Sequence, residues 1–512
     1  MSPQPPKKGP SGRPPARTGA KLTTRPPAAA ATPGTRAAGL DGYFSITQRG
    51  STLGREVRGG FATFFTMAYI VVLNPIILTG ALVGQGGYVP KFAAIAATTA
   101  LVAGVMTMLM GVVGRYPFAL AAGLGINGVV AFQLAPQIGY VGAMGVVVLE
   151  GIVITILVLT GVRELLFNAI PLALKQAIGV GIGLFLAFIG FVDGGLVSGN
   201  KGGAPVVLGV RGSLATWPHL IFVVSLFVTA VLVVRRVRGA ILIGIITSTV
   251  LAVIVQAVAK LGAVGGPSAG HAAPDPRGWA LTVPSLTGKS ATIDFSSVGH
   301  FSLPGTFHAG VILGILFVFT LMLADFFDTM GTVVAVGGEA GQLTPDGKLP
   351  GIRNVLLIDS VAAAAGGAGG VSSNTTFIES AAGVGEGART GLASVVTGLL
   401  FLLAIFLSPL TQIVPSEAAA PVLVIVGFLL MTQVKDIPWD DWDIALPAFL
   451  AIVVMPFTFS ITNGIGAGFI AYVLLKVTGG RSRDVHPLLW VTAVLFVIYF
   501  AIEPIKTLFN IH

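Results

Sequence analysis

Cysteine is absent from all 512 residues. That absence removes disulfides, thiol nucleophiles and thiolate metal sites. Charge is scarce as well: only 10% of residues are Asp, Glu, Lys or Arg, against roughly 25% in soluble domains. No H-E-x-x-H, no G-x-S-x-G, no Walker A lysine loop and no paired metal ligands occur. The chain therefore carries no enzyme signature and calls for no cofactor and no metal. ATP hydrolysis is not expected to drive it, so any coupling comes from an ion gradient.

What remains is apolar. The chain is 54% hydrophobic with 69 glycines, and its mean hydropathy is +0.89. This composition, spread over the whole length, predicts a polytopic membrane protein. The glycines fit tightly packed membrane helices, where small residues let backbones approach. The formal net charge is +9, and much of it lies in the first 58 residues. Basic residues at membrane helix ends set topology, so no nucleic-acid partner is expected.

Residues 1–42, which include "SPQPPKKGP", are rich in Pro, Ala, Lys and Arg and predict a disordered tail. The tail lacks the apolar core of a signal peptide. Residues 43–58 lead into the first span. Apolar segments follow at 61–80, 93–113, 124–138, 141–161, 172–192, 219–235 and 239–259. After a polar loop at 260–306, a second group occupies 308–333, 353–370, 376–386, 390–413, 418–432, 443–459, 462–478 and 486–505. The domain reading is a first seven-helix repeat at 43–259, an extracytoplasmic loop, a second inverted repeat at 307–478, and a C-terminal hydrophobic segment at 479–512. Segment 486–505 is surplus, either an extra span or a helix at the membrane surface.

Two segments, 124–138 and 376–386, are too short to cross a bilayer, which takes about 20 residues. Each is the third of its group and follows a Gly- or Ser-rich stretch. A pair of short, interrupted segments at corresponding positions of two halves points to a transporter built from inverted repeats. Positive charge supports seven spans per half. With the tail inside, the cytoplasmic loops carry Arg115, Arg163, Lys175, Arg235, Arg236, Arg238, Lys348, Arg353, Arg389, Lys435, Lys476, Arg481 and Arg483. The short outer loops carry Lys91, Lys201 and Arg211. This bias places the N-terminus in the cytoplasm of a multi-pass protein of the cell (inner) membrane.

Acids at membrane depth are costly and usually functional. In "LMLADFFDTMGTVV", Asp325, Asp328, Thr329 and Thr332 fall at i, i+3, i+4 and i+7 and share one helix face. The bland alternative is that they cap a neighbouring broken helix or bond to each other. In "VSSNTTFIESAAGVGEGARTG", Glu379 sits just inside the second short segment, after Ser372, Ser373, Asn374, Thr375 and Thr376. A carboxylate there suits a ligand with N–H donors, or else caps its own helix. Asn127 opens the first short segment and either caps it or touches ligand.

Other polar residues read as structural. Glu150 pairs across helices, Asp359 stabilises packing, and His308 is interfacial. Glu386 and Arg389 form a surface pair. Asp440, Asp441 and Asp443 of "WDDWD" are a solvated loop, and Asn463 lies in a tight connection. The G-x-G-x-x-G of Gly123, Gly125 and Gly128 resembles a dinucleotide fingerprint, but that motif needs a βαβ unit. Here it predicts the break before the third half-helix, with Asn127 at its mouth.

The stretches "REVRGGFATFFTMAYIVVLNPIIL", "GLGINGVVAF", "ADFFDTMGTVVAVGGEAG", "TTFIESAAGVGEGARTGLASVVTGLLF" and "MPFTFSITNGIGAGFIAYVLLK" together resemble the AzgA-like hypoxanthine/guanine/adenine permeases. These form a branch of the nucleobase:cation symporter-2 family. The resemblance covers about 44–505. It implies an all-α polytopic membrane protein of 14 transmembrane helices as two inverted 7-helix repeats. Helices 1–4 and 8–11 would form a core domain, and 5–7 with 12–14 a gate domain. Helices 3 and 10 would be broken, with short extended segments. It implies a purine nucleobase as substrate, imported with a proton (or sodium) by alternating access. Relatives on this fold often dimerise through the gate domain, so a homodimer in the bilayer is compatible.

Carried over by position, Asp325 and Glu379 match the family's purine-binding acids and Asn127 its asparagine. Asp328 matches an acid needed for transport. Adding Gly125, Thr376 and Thr329 gives the substrate-binding set, with Asp328 and Asp325 assigned to proton coupling. Carboxylates accept from the ring N–H groups of a purine. The Phe-rich "FATFF" is a candidate stacking wall. Asn374 departs from the Thr-Ser-Ser-Val-type approach of many relatives, which leaves substrate preference open. Uracil, xanthine or an anion on the same fold, or a channel, are the competing readings. An anion carrier should show a cation at the site, where this sequence shows acids.

Overall fold

The computed structural model describes residues 39–508 apart from 81–86, 162–169, 200–205, 210–213, 264–277, 281, 286–291 and 345–348. Of the tail expected to be disordered, residues 1–38 lie outside the described residues, as do Arg163, Lys201, Arg211 and Lys348, whereas residues 40–42 are helical and correct that expectation. A short helix α1 (Leu40–Phe44) precedes α2 (Leu53–Met67), which Thr52 caps by accepting from the Arg55 N–H. We call the end of the molecule at Leu53 the tail end and the opposite one the loop end.

The first span is α2 followed by α3 (Ile70–Gly80), with the helix interrupted at Ala68 and Tyr69. The second is α4 (Phe92–Leu109), closed by a π-helical turn at Met110–Gly114. Then comes β1 (Leu120–Ala122), α5 (Leu124–Gly128), a second π turn at Val129–Leu134, and α6 (Ala135–Thr160). Gly139 breaks α6 at φ 72°, which ends the third span and starts the fourth. Helices α7 (Leu172–Asp193), α8 (Trp217–Val234) and α9 (Ala240–Ala259) complete the first group. A small hairpin of β2 (Val197–Gly199) and β3 (Val206–Leu208) joins α7 to α8.

The second group repeats the order. It comprises α10 (Val311–Glu339), α11 (Ile352–Gly369), β4 (Asn374–Thr376), α12 (Ser380–Gly385) and α13 (Gly391–Ala404). The gate half follows as α14 (Ser416–Ala419), α15 (Pro421–Met431), α16 (Trp442–Phe457) and α17 (Ile461–Thr478). Among the described residues, 10 helices are long and apolar enough to cross a membrane. One of them, Leu124–Thr160, holds two spans. The remaining members of the repeat are α11, the broken β4–α12 pair and the shorter α16.

The packing is reciprocal, as an inverted repeat requires. The second span of the first repeat meets the fourth of the second, and the fourth meets the second. Small residues make both contacts. A Cβ on Gly111 would lie 2.4 Å from the Gly391 carbonyl oxygen, and one on Gly151 would lie 2.4 Å from the Ala364 nitrogen. In the gate, α7 and α15 meet back to back, where a Cβ on Gly427 would lie 2.4 Å from the Gly183 carbonyl oxygen. Without a hydrophobic driving force between helices in lipid, such close backbone contact supplies the attraction.

The loop joining the repeats clasps both domains. On the gate side, buried Trp279 donates to Gln256 at 2.7 Å, and the Ala280 N–H donates to Glu417 at 2.8 Å. On the core side, the Ser302 N–H reaches the Val141 carbonyl at 2.9 Å and the Gly299 N–H reaches Ala368 at 2.8 Å.

The surplus segment is a helix, α18 (Pro487–Leu508). It runs antiparallel along α17. Its Phe496 packs against Gly466 and Phe469, and its Tyr499 donates to Asn463 at 3.4 Å, near the loop end. It therefore follows α17 through its depth instead of lying across the molecule's end.

Candidate functional site

The site grows from two interruptions. β1 pairs antiparallel with β4, Leu120 opposite Thr376, Ala121 opposite Thr375 and Ala122 opposite Asn374. All six residues are buried. Backbone groups at membrane depth need partners, and the two strands supply them to each other. The pairing continues at both ends: the Gly123 N–H donates to Ser373 and the Phe377 N–H to Ala119, each at 2.9 Å. Half-helices α5 and α12 then leave the crossing, each with its N-terminus beside it.

Of the "GLGING" stretch, Gly123 lies at the break, whereas Leu124–Gly128 already form α5, with Asn127 inside the helix and not at its mouth. A Cβ on Gly123 would lie 2.7 Å from Thr375 Cγ2, so only glycine lets the strands cross here. Gly125 is the one partly exposed residue between Ala121 and Val130. A Cβ there would meet Ile182 of α7 at 2.9 Å. Asn127 is fully buried, and its amide donates to Asn74 Oδ1 at 2.8 Å. Asn74 passes the chain on, donating to Thr99 at 2.8 Å and to the Val371 carbonyl at 3.1 Å. The Asn127 side-chain oxygen Oδ1 has no hydrogen-bond partner among the described residues.

Glu379 immediately precedes α12. Its carboxylate accepts a 2.6 Å hydrogen bond from Tyr69, a fully buried residue at the interruption between α2 and α3. Sequence reasoning missed Tyr69 and Asn74. Their only signal was polar atoms in "AYIVVLNP", an otherwise apolar span with a proline beside the asparagine.

On α10, Asp325 and Thr329 are enclosed, whereas Asp328 is open to solvent. Asp328 acts electrostatically on both Glu379 and Tyr69. Gly331, Ala335, Gly338 and Glu339 continue its open face toward the tail end. An open crevice thus runs from Asp328 toward the tail end.

Thr329 and Thr376 are committed elsewhere. Asp359 of α11 accepts from the Thr329 hydroxyl at 2.7 Å, the Thr376 N–H at 3.0 Å and the Thr376 hydroxyl at 2.8 Å. Thr329 also shares a 2.8 Å bond with Thr375. Asp359 is thus the brace that fastens β4 to α10, the packing role its sequence setting suggests. Glu150 reaches Ser373 across helices at 3.4 Å.

Two expectations are corrected. Glu386 does not pair with Arg389. It bridges Arg58 at 2.8 Å and Arg238, while the Arg389 side chain donates to the Val384 and Ala388 carbonyls. The helix ends at Gly385, so the i, i+3 geometry of a helical pair is lost. Nor is "FATFF" a wall of the site. Phe64 packs edge-on to Phe401, with ring centroids 5.1 Å apart, and Phe61 and Phe65 face outward.

The aromatic cluster at the core–gate boundary is Phe132, Phe185, Phe188 and Phe459, with centroids 5.3 to 6.1 Å from Phe459. Beside it, Gln133 accepts from the Ile461 N–H at 3.0 Å and donates to Thr462. Thr462 in turn reaches Thr320 of α10 at 3.3 Å. A separate apolar cavity of about 460 Å³, lined by Phe188, Phe191 and Phe457 among others, lies within the gate away from the acids. Among the described residues no group of three His, Asp or Glu could hold a metal ion. His308 is exposed near the loop end, and Asp443 joins Lys476 and Arg481 in an ion cluster.

A family model described as "Permease family" matches residues 54–467, most of the chain. The chain belongs to this permease family, the nucleobase:cation symporter-2 group. As a family member it is a membrane permease and not an enzyme. The chain is 37% identical to guanine/hypoxanthine permease PbuG of Bacillus subtilis, over 90% of this chain and 98% of that one. It is 36% identical to adenine permease AdeP of Escherichia coli, over 90% and 95%. A putative permease of Methanocaldococcus jannaschii is 38% identical over 90% and 98%.

Among solved structures, the fold resembles the transmembrane domain of the cyanobacterial bicarbonate transporter BicA. The TM-score is 0.54 at 15% identity, covering 81% of this chain and 97% of that one. SLC26A9 matches with a TM-score of 0.53 at 12% identity, over 83% and 66%. The two inverted seven-helix repeats of the permease thus hold 14 transmembrane helices, divided into core (α2–α6, α10–α13) and gate (α7–α9, α14–α17), with α18 outside the repeats.

Proposed function

We propose that this permease imports purine nucleobases by proton symport with alternating access. The observation that carries the reading is the convergence of Glu379, Asn127 and the acids of α10 on two half-helix N-termini. In this reading the Glu379 and Asp325 carboxylates accept from purine ring N–H groups. Carboxylates, not cations, face a neutral ligand rich in donors. The half-helix N–H groups and Asn127 answer the purine's acceptors, as broken helices do in other transporters. Gly125, without a side chain, lets the ligand approach the α5 backbone.

Thr329 and Thr376 act through Asp359, as parts of the brace, and hold the acids in place. Asp328, in the open crevice, is the proton-coupling acid, with Asp325 its enclosed neighbour. The crevice opens at the tail end, which we assign to the cytoplasm from the positive charge there. The state described is then inward-facing. The names of the similar guanine/hypoxanthine and adenine permeases support the substrate class.

The test is uptake of radiolabelled hypoxanthine into proteoliposomes with and without an imposed proton gradient. Accumulation should require the gradient and be lost in D325N and E379Q. Uptake indifferent to both substitutions would sink the site, and uptake driven by sodium alone would sink the proton.

A further inference from the structure

The inverted repeat offers an internal comparison of how each strand is held. In the first repeat, β1 and its approach are braced by hydroxyls. Thr107 of α4 donates to the Leu120 carbonyl at 3.0 Å and accepts the Leu120 N–H at 2.9 Å. Ser394 of α13 donates to the Tyr116 and Phe118 carbonyls at 2.9 and 2.8 Å. In the second repeat the same two helix positions serve β4. The second span supplies Asp359, and the opposite repeat's fourth span supplies Glu150, which meets Ser373. Where hydroxyls suffice on one side, acids stand on the other. Bracing alone does not require a carboxylate.

The two acids differ in their partners. Asp359 receives three donors, an arrangement that suits an ionised carboxylate. Glu150 is equally buried, yet its one recorded bond is the 3.4 Å contact with Ser373, and its other oxygen has no partner. Among the described ion pairs none includes Glu150. The charged residues on the elements packed around it are Asp359 and Arg353 on α11 and Asp325, Asp328 and Glu339 on α10. Arg353 donates at 3.1 Å to the carbonyl of Leu159, more than two helical turns along α6 from Glu150. Its own helix adds Tyr140, whose hydroxyl is committed to the Gly370 carbonyl. The nearby strand, Val371–Thr376, and the Val129–Leu134 turn carry no ionisable side chain. Asp359, the neighbouring charge that acts on it, can only be negative. An ionised carboxylate buried there without a counter-charge is strongly disfavoured.

We propose that Glu150 holds a proton in the state described and forms a second proton-binding site, acting on β4 through Ser373. Its neutral carboxyl shares the 3.4 Å hydrogen bond with the Ser373 hydroxyl and leaves Asp359 as the single charge gripping the strand. Loss of the proton, as pH rises, sets two negative charges against one strand and loosens it. The strand carries Thr376 and leads into Glu379, so the protonated form is the one that binds ligand tightly.

Infrared spectroscopy of the full chain in liposomes reads the proton directly. A protonated-carboxyl C=O band should be present in the unmodified protein, be missing in E150Q, and shift in S373A. Ser373→Ala keeps the acid and removes its partner, so it reports even where E150Q fails to fold. Identical spectra for wild type and E150Q would overturn the proposal. So would a band that sodium abolishes at constant pH, which would make Glu150 a cation ligand.

The link to the ligand site rests on the proposed purine reading and has its own test. Hypoxanthine affinity should fall above the Glu150 transition by up to about tenfold per pH unit in wild type, and that fall should be missing in E150Q. Superimposable pH profiles would overturn the link. Failure of both proteins to bind hypoxanthine would count against the purine reading, and the infrared result would still decide the proton on Glu150.

Discussion

Tyr69 and Glu379 form the shortest well-made polar contact of the site, at 2.6 Å, with Tyr69 wholly buried. Removing the hydroxyl leaves the carboxylate without its fixed donor, at roughly 1–3 kcal/mol for a hydrogen bond to a charged group. Tyr69→Phe should therefore weaken hypoxanthine binding by about tenfold or more while the protein still folds, measured as KM in uptake.

Asp359 behaves differently because it holds structure. Asp359→Asn turns an acceptor toward donors and should lower the melting temperature of the purified protein, at a cost of about 1–3 kcal/mol for each mismatched group. A change in KM with no loss of stability would contradict its role as a brace. At this scale the sequence was legible where acids interrupt an apolar helix, as at Asp325, Asp328 and Glu379. It was not legible at Tyr69, Asn74 or Gln133. Single polar residues in apolar spans carry no pattern, and their partners lie 310, 297 and 329 residues away.

The broken third and tenth spans are the elements that define the molecule. Their lengths and glycines exposed them in the sequence, and the structure places both breaks where those signals fall. What sequence could not supply was the pairing of β1 with β4, because three-residue strands have too short a pattern to announce a partner. The crossing gives a sharp prediction. Gly123→Ala puts a Cβ within 2.7 Å of Thr375 Cγ2, an overpacking that costs roughly 1–3 kcal/mol. Transport should collapse. Thr375→Ser removes that methyl and keeps the hydroxyl bonded to Thr329, so the double variant should recover activity. Failure of the second change to rescue the first would show that the steric account is wrong. The misread elements also have causes. Phe61 and Phe65 sit at i, i+4 on an outward face, and composition alone did not reveal which way that face turned.

Across the whole molecule, core and gate touch through few polar contacts. At the loop end Gln133 holds the start of α17, and Thr462 reaches Thr320. At the tail end Glu386 of the core bridges Arg238 of the gate. If the two domains move against each other, the Gln133 contact must break when the site opens at the loop end. The chain has no native cysteine, so a single introduced one reports exposure cleanly. In a Leu316→Cys background, where the native side chain is buried in the loop-end half of α10, Gln133→Ala should raise labelling by a membrane-impermeant maleimide. Unchanged labelling would mean this contact does not hold the loop end shut.

In the proposed reading, the crossing of the two half-helices is a purine site. Its most direct test is equilibrium binding of hypoxanthine to the purified protein, compared across D325N, E379Q and E386Q. Binding should be saturable and displaced by guanine or adenine. The first two variants should weaken it by at least about tenfold, the cost of one charged hydrogen bond, and E386Q should leave it unchanged. Equal binding by wild type, D325N and E379Q would contradict the account.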